Sequence, residues 1–368
     1  MKNPEADHGE GFWTDHWHYN LDLLETFLGI YPEKLKEVIF DKNVYTFYDN
    51  PYMVVLREKK YILLDGQPKQ LHSVVLDEEK KKLISLRTEQ PNTLRTNYGL
   101  GEVYKTTLIN KLFCLLVNKL SSLDPFGCGI EMEADKPNWF DALNGLPALF
   151  GSSSCETFEL KRLAIFIMNA IQHAKVRNLM LSEEINEFLL NLSELIEKNL
   201  YGNSNDKDIE YWDKSYSLKE NYRAKTRLGL SGKETGISAE DAIHFLEKTI
   251  QKIDAGLAKA KDEKHALYYG YFINEVADYE VVNGAQIKPK KFIQKKMRGN
   301  DFGLEVEVGE IGRTDKKGMI LTKPEEAVTF IGKLKEAGIE PNLIAIANGS
   351  THGNIYDDEG NIIAQTTI

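Results

Sequence analysis

Residues 135–171 read DKPNWFDALNGLPALFGSSSCETFELKRLAIFIMNAI, a polar loop that runs directly into a helix-period segment. In that segment Phe158, Leu160, Leu163, Ile165, Phe166, Ile167 and Ile171 leave little polar surface, which predicts a central helix. The loop ahead of it carries Trp139, Asp141 and Asn144 between turn residues. Connectors of this length mostly hold turn chemistry alone. An aromatic face, a carboxyl and an amide together are what a sugar site uses, to stack, to move a proton and to bind hydroxyls. Beside an indole, the Asp141 carboxyl would be desolvated and stay protonated for transfer to a glycosidic oxygen. The same residue also suits the N-cap of a helix over residues 142–149, and both readings stand.

Outward from this stretch, helix-period segments fall at 103–122, 156–178, 182–200, 206–221 and 238–261. Ser182 followed by Glu183 and Glu184, and Ser238 three residues before Asp241, mark helix starts. Long helices joined by short polar loops are what an α/α toroid produces, although no sequence repeat is evident. Residues 17–40 predict two short helices separated at Pro32. Residues 44–76 are strand-like, with Asp65-Gly66 as a hairpin turn, and predict a small β-excursion on a helical body. Beyond residue 298 the pattern becomes strand 304–308, helix 323–337 opened by Pro324, and strand 343–347, a βαβ unit. The expected fold is therefore mainly α, a partial toroid followed by a short α/β segment, with domains 1–297 and 298–368.

The net charge of -10 excludes a typical nucleic-acid groove, and the basic run Lys288–Lys296 reads as a solvated strand or linker. Cys114, Cys128 and Cys155 are odd in number and lack CxxC spacing, which argues for a reducing compartment and against a thiolate zinc site. The opening residues are charged and no apolar run approaches membrane length, so no membrane partner and a cytoplasmic location are expected. In GFWTDHWHYNLD, residues 11–22, Trp13, Trp17 and Tyr19 alternate with Asp15, His16, His18, Asn20 and Asp22. That pattern suits sugar contacts, while Trp17 and Leu21 equally suit a core. The pair His16 and His18 lacks a third metal ligand. Binding aromatics this close to residue 1 suggest a truncated enzyme.

WFDALNGLPALFGSS, ETFELKR, FWTDHWHYNLDLLETFLGIYP and LKENYRAKTRLGLSG together resemble the catalytic region of cellobiose-phosphorylase-like proteins, relatives of glycoside hydrolase family 94, over roughly residues 8–297. The resemblance implies an (α/α)6 barrel and inverting phosphorolysis of a β-linked glucoside or disaccharide. It makes Asp141 the general acid, Trp139 a subsite residue, and Asn20 and Asp22 holders of the glycosyl group; Phe140 stands where that family usually has Asn. Inorganic phosphate would be co-substrate with an oligosaccharide, no cofactor is implied, and Arg162 is one candidate phosphate ligand. A plain inverting hydrolase would need a base, for which Glu102, Glu131, Glu133 and Glu156 are available. A non-catalytic sugar-binding piece is a further alternative.

LEVEVGEIGR and IAIANGSTHG resemble a different family, the class II metal-dependent fructose-bisphosphate-type aldolases, over about residues 301–368. That resemblance implies a lyase using zinc or another divalent metal, with Glu307 and His352 at the metal and Gly353 at a phosphate. The family's Asp-His pair has no counterpart in the segment, and Arg313 stands where a second Gly is usual. The chain thus reads as a phosphorylase-like body joined to an aldolase-like piece.

Overall fold

The described helices are α1 (Tyr19–Ile30), α2 (Arg57–Lys60), α3 (Glu78–Ser85), α4 (Leu108–Leu120), α5 (Ser154–Ala174), α6 (Glu183–Tyr201), α7 (Lys207–Thr226), α8 (Ala239–Ala260) and α9 (Pro324–Glu336), of which α3, α6 and α8 start at the side-chain caps Asp77, Ser182 and Ser238. The computed structural model of the chain describes residues 17–71, 73–132, 150–204, 206–296, 305–308, 314–315, 318–319, 321–341, 343–347, 355–356 and 362–364. The chain divides into two units, residues 1–296 and 297–368.

In the first unit α5 packs on α8 and α4, and α6 packs on α7 and α8. Phe113, Leu116 and Leu120 of α4 meet Leu160, Leu163 and Ile167 of α5 and Phe188, Leu192 and Ile196 of α6 in one core. Helices α6 and α8 begin at the two ends of one antiparallel ladder, Asn178–Ser182 against Glu234–Ser238. Each strand runs into its helix through a serine cap: Ser182 Oγ accepts from Ile185 N–H at 3.4 Å and Ser238 Oγ from Asp241 N–H at 3.0 Å. Helix α5 is less enclosed than its composition suggests. Phe158 and Ile165 are exposed, with Phe158 edge-on to Tyr268 at 5.0 Å between ring centres.

A six-stranded antiparallel sheet runs in the order Gln67–Gln70, Tyr61–Leu64, Gln286–Lys296, Tyr271–Asn283, Gly151–Ser153, Ile130–Glu131. The hairpin at Asp65-Gly66 has both turn residues at positive φ, 52° and 75°, as its sequence predicts. The long hairpin 271–296 was not foreseen, and through it the β-structure is more than a local excursion. The basic run is a strand of this hairpin, with Ile287 and Phe292 inward and Lys288, Lys290 and Lys291 outward. The body is helix-rich, as expected, and carries this curled sheet; toroid closure remains an expectation from the resemblance.

In the second unit Glu305–Val308 pairs in parallel with Leu343–Ile346, Glu307 lying opposite Ala345. Helix α9 makes the crossover, with Pro324 at its first turn where no intrahelical N–H is lost. Thr322 ties the two strand ends together. Its hydroxyl donates to Val308 O at 3.0 Å and accepts from Ala347 N–H at 2.8 Å.

Two glycines test this packing in opposite directions. A Cβ on Gly256 of α8 would fall well inside contact distance of the Gly127 carbonyl oxygen, whereas one on Gly29 of α1 would meet nothing within 4 Å. Gly256→Ala is expected to destabilise by about 1–3 kcal/mol and lower the thermal midpoint by several degrees. Gly29→Ala should raise stability by about 0.5–1 kcal/mol. Thermal melts of the two variants check both signs.

Candidate functional site

Four helices and a strand deliver charged side chains to one cleft of about 230 Å³. Tyr216, Lys219 and Arg223 lie at i, i+3 and i+7 on α7 and so share a face. Asn118 and Lys119 come from the last turn of α4, with Ser122 just beyond it, and Lys60 is the last residue of α2. Glu131 closes the edge strand Ile130–Glu131, and Glu156 stands in the first turn of α5. A carboxylate there also complements the helix dipole.

Each carboxyl is held by an indole. Trp17 Nε1–H donates to Glu156 Oε2 at 2.8 Å, and Lys119 Nζ donates to the same oxygen at 2.6 Å. Lys119 also lies over the Trp17 ring, 5.3 Å from its centroid. Trp212 Nε1–H donates to Glu131 Oε1 at 2.8 Å. Lys219 donates to Ser122 Oγ at 2.9 Å and sits 3.9 Å above the centre of the Tyr216 ring, while Lys60 donates to the Tyr216 hydroxyl. Both ammonium groups thus lie against the Tyr216 ring, with only 1% of Lys60 and 2% of Lys219 exposed. Burial pushes the Glu131 carboxyl up to about 7; Lys219, the Trp212 N–H and Lys60 pull against that shift, and the nearby Asp124 adds to it. Glu131 is therefore a group that can hold or release a proton near neutrality.

The structure distributes the sequence-predicted residues unevenly. Trp17 is buried in the core beside Leu21 and reaches the cleft only through its N–H on Glu156. Asn20 is exposed, donates to Trp17 O at 3.1 Å, and lines an apolar hollow of about 790 Å³ with Leu23, Phe27 and Phe47, which adjoins the cleft at Leu115 and Asn118. Asp22 is on the surface, 2.7 Å from Arg162 and 3.7 Å from His18. Asn20 and Asp22 therefore do not join Glu131 and Glu156. Arg162 is matched by Asp22, Glu25 and Glu159, which leaves it a surface ion-pair hub outside the cleft. Of the four candidate bases, Glu131 and Glu156 line the cleft, and Glu102 is exposed elsewhere. Glu133 lies outside the described residues, as do Trp13, Asp15, His16, Trp139, Asp141, Asn144, His352 and Gly353. Glu307 is exposed on its strand.

Sequence reasoning did not single out Lys60, Lys119, Tyr216, Lys219 or Arg223 as site residues. Lys219 and Arg223 form an i, i+4 pair on α7, but the helix expected from sequence ends at residue 221, short of Arg223, and such a pair is indistinguishable from a solvated face without the partners across the cleft.

Residues 287–365 match the family described as fructose-bisphosphate aldolase class-II. No curated protein matches the chain. Among the described residues no group of three or more His, Cys, Asp or Glu side chains is placed to hold a metal ion. None of the described helices is long and apolar enough to cross a membrane.

The Glu131 environment has a measurable consequence. The native state holds this proton more tightly than the unfolded chain, so its contribution makes stability fall as pH rises from the ordinary carboxylate value to about 7. Denaturant unfolding at about pH 5 and about pH 8 should show that Glu131→Gln flattens this fall. An unchanged pH dependence in the variant would show that the proton is not held there.

Proposed function

We propose that the chain joins a class II aldolase-type segment to a body whose cleft performs acid–base chemistry on a carbohydrate. The observation that carries the second part is the convergence of Glu131 and Glu156, each fixed by an indole N–H, among four cationic side chains in one cleft. Met132 lines this cleft and precedes Asp141 by nine residues in sequence. Met132 N–H donates to Gly151 O at 3.0 Å.

In this reading the cleft cleaves a β-glycosidic bond. Asp141 delivers its proton to the leaving sugar oxygen as the glycosidic C–O bond breaks. A phosphate oxygen forms the new bond to the anomeric carbon from the opposite face, which gives a sugar 1-phosphate. Phosphate as the acceptor follows from the resemblance, which implies inorganic phosphate as co-substrate. With water, Glu131 would serve as the base, since it exchanges a proton near neutrality.

Incubating the full chain with β-linked disaccharides and inorganic phosphate should release sugar 1-phosphate. Asp141→Asn should reduce the rate by about a hundredfold or more. Release of free sugar at the same rate without phosphate would assign a hydrolase instead, and an Asn variant with full activity would remove Asp141 from the chemistry.

The aldolase-type reading is supported by the match over residues 287–365 and by the parallel strand–helix–strand unit inside it. A divalent metal in such a lyase polarises the substrate carbonyl, and Glu307 and His352 are the residues that would approach it. The described residues do not supply a complete ligand set, so no catalytic step is assigned to this segment. Equilibrium dialysis with zinc checks it: stoichiometric binding lost in His352→Ala would support a metal site, and no binding by the parent chain would end that reading.

A further inference from the structure

The hollow of about 790 Å³ beside α1 is a second concave site, and its chemistry differs from that of the cleft. Leu23 and Phe27, one turn apart on α1, and Leu108, Leu112 and Leu115, at helical spacing on α4, give it an apolar lining. That lining follows α1 from Asn20 to Phe27 and α4 from Leu108 to Asn118, about 10 Å and about 15 Å of helix. Leu23 is 70% exposed, so the hollow is open to solvent and leaves apolar surface in water. One cation is set among these side chains. Lys111 shares a face of α4 with Leu108 and Leu115; its Nζ donates to Thr46 O and lies 4.9 Å from the centre of the Phe47 ring, itself part of the lining. Among the described residues no carboxylate pairs with it, whereas Lys119 meets Glu156 and Arg162 meets Asp22. Burial lowers the Lys111 pKa, and the titratable neighbour that counters this is the Cys114 thiol, which burial keeps neutral. A backbone oxygen and an aromatic face are thus what answer an ammonium with three donors.

We propose that the hollow binds a single-chain fatty carboxylate, with its head group paired to Lys111 and its chain laid along the apolar side chains of α1 and α4. Charge decides between classes of apolar ligand. A neutral chain leaves the ammonium as it is, whereas a carboxylate brings both an acceptor and the opposite charge into surroundings where water screens them little. Shape decides between kinds of carboxylate. A lining that follows two helices for several turns suits an extended chain, while a compact ring would cover only part of it. The chain also takes the Leu23 and Phe27 side chains out of water. The inference goes beyond the glycosidic reading and does not rest on it, although the two cavities share Leu115 and Asn118 as lining residues.

Calorimetric titration of the full chain with decanoate and, separately, with decanol tests the site, since the two ligands share a chain and differ in charge. Saturable binding of decanoate is expected, tighter than that of decanol by about tenfold or more. Lys111→Met should remove that preference by weakening decanoate alone. Lys264→Met, at an exposed position far along the chain, should leave both affinities unchanged. Leu23→Glu, at an exposed position of α1, should weaken decanoate by about tenfold through like charge and lost apolar contact. That variant decides the matter if Lys111→Met fails to fold by circular dichroism. No saturable decanoate binding by the parent chain, equal affinity for decanol, or a preference that survives Lys111→Met would overturn the proposal. The titration involves no turnover, so a chain that binds decanoate and releases no sugar 1-phosphate would keep this site and lose the phosphorolytic reading. Sugar 1-phosphate release by a chain that ignores decanoate would do the reverse.

Discussion

The buried Asp124 carboxylate organises the body. It is 1% exposed and accepts from the backbone N–H groups of Phe126 at 3.0 Å, Cys128 at 2.9 Å and Gly129 at 3.1 Å. The Ser152 hydroxyl adds a donor at 2.7 Å and the Gln294 amide another at 3.3 Å. Burial raises the proton affinity of this group and the donors offset only part of that rise, so a charge here depends on the full set being assembled. The donors come from the loop after α4, from the strand leading into α5, and from the long hairpin. One side chain thus joins the helical bundle to its sheet. Both cleft carboxyls follow from that junction. Glu131 pairs with Ser152 in the ladder, and Glu156 stands on the helix that the Ser152 strand feeds.

Elements whose signals are local were legible in sequence. Serine caps at Ser182 and Ser238, the Asp65-Gly66 turn and the Pro324 helix start all act within a few residues, and each lies where its chemistry predicts. The long hairpin had a comparable signal in Asn283-Gly284, with Gly284 at φ 55°, flanked by alternating residues. Its charged outer face disguised it, because Lys288 to Lys296 looks like a solvated run when only one face is read. The cleft was illegible for a different reason. Lys60, Lys119 and Lys219 resemble any surface lysine until residues far apart in the chain enclose them. Trp17 and Asn20 are neighbours in sequence but face different surroundings, one the core and one an open hollow.

The likeness to aldolases and the folded units do not share a boundary. The match begins at residue 287, whereas the body continues to residue 296. Strand 286–296 is committed to the body by its register with 271–283, from Asn283 opposite Gln286 to Phe272 opposite Lys296. Its Ile287 and Phe292 are buried with Tyr61, Phe150 and Trp212. Trp212 in turn holds Glu131, so residues within the matched stretch help to support the cleft of the body. Packing, more than likeness, decides to which unit this strand belongs.

The three thiols differ sharply in their surroundings. Burial pushes Cys128 up to about 12 and also raises Cys114, which keeps both in the unreactive thiol form at neutral pH. Cys155 is exposed and immediately precedes Glu156 at the start of α5. The natural chain therefore carries a ready attachment point for a maleimide fluorophore one residue from the cleft. Occupancy of that cleft can be followed optically without introducing or deleting a single cysteine.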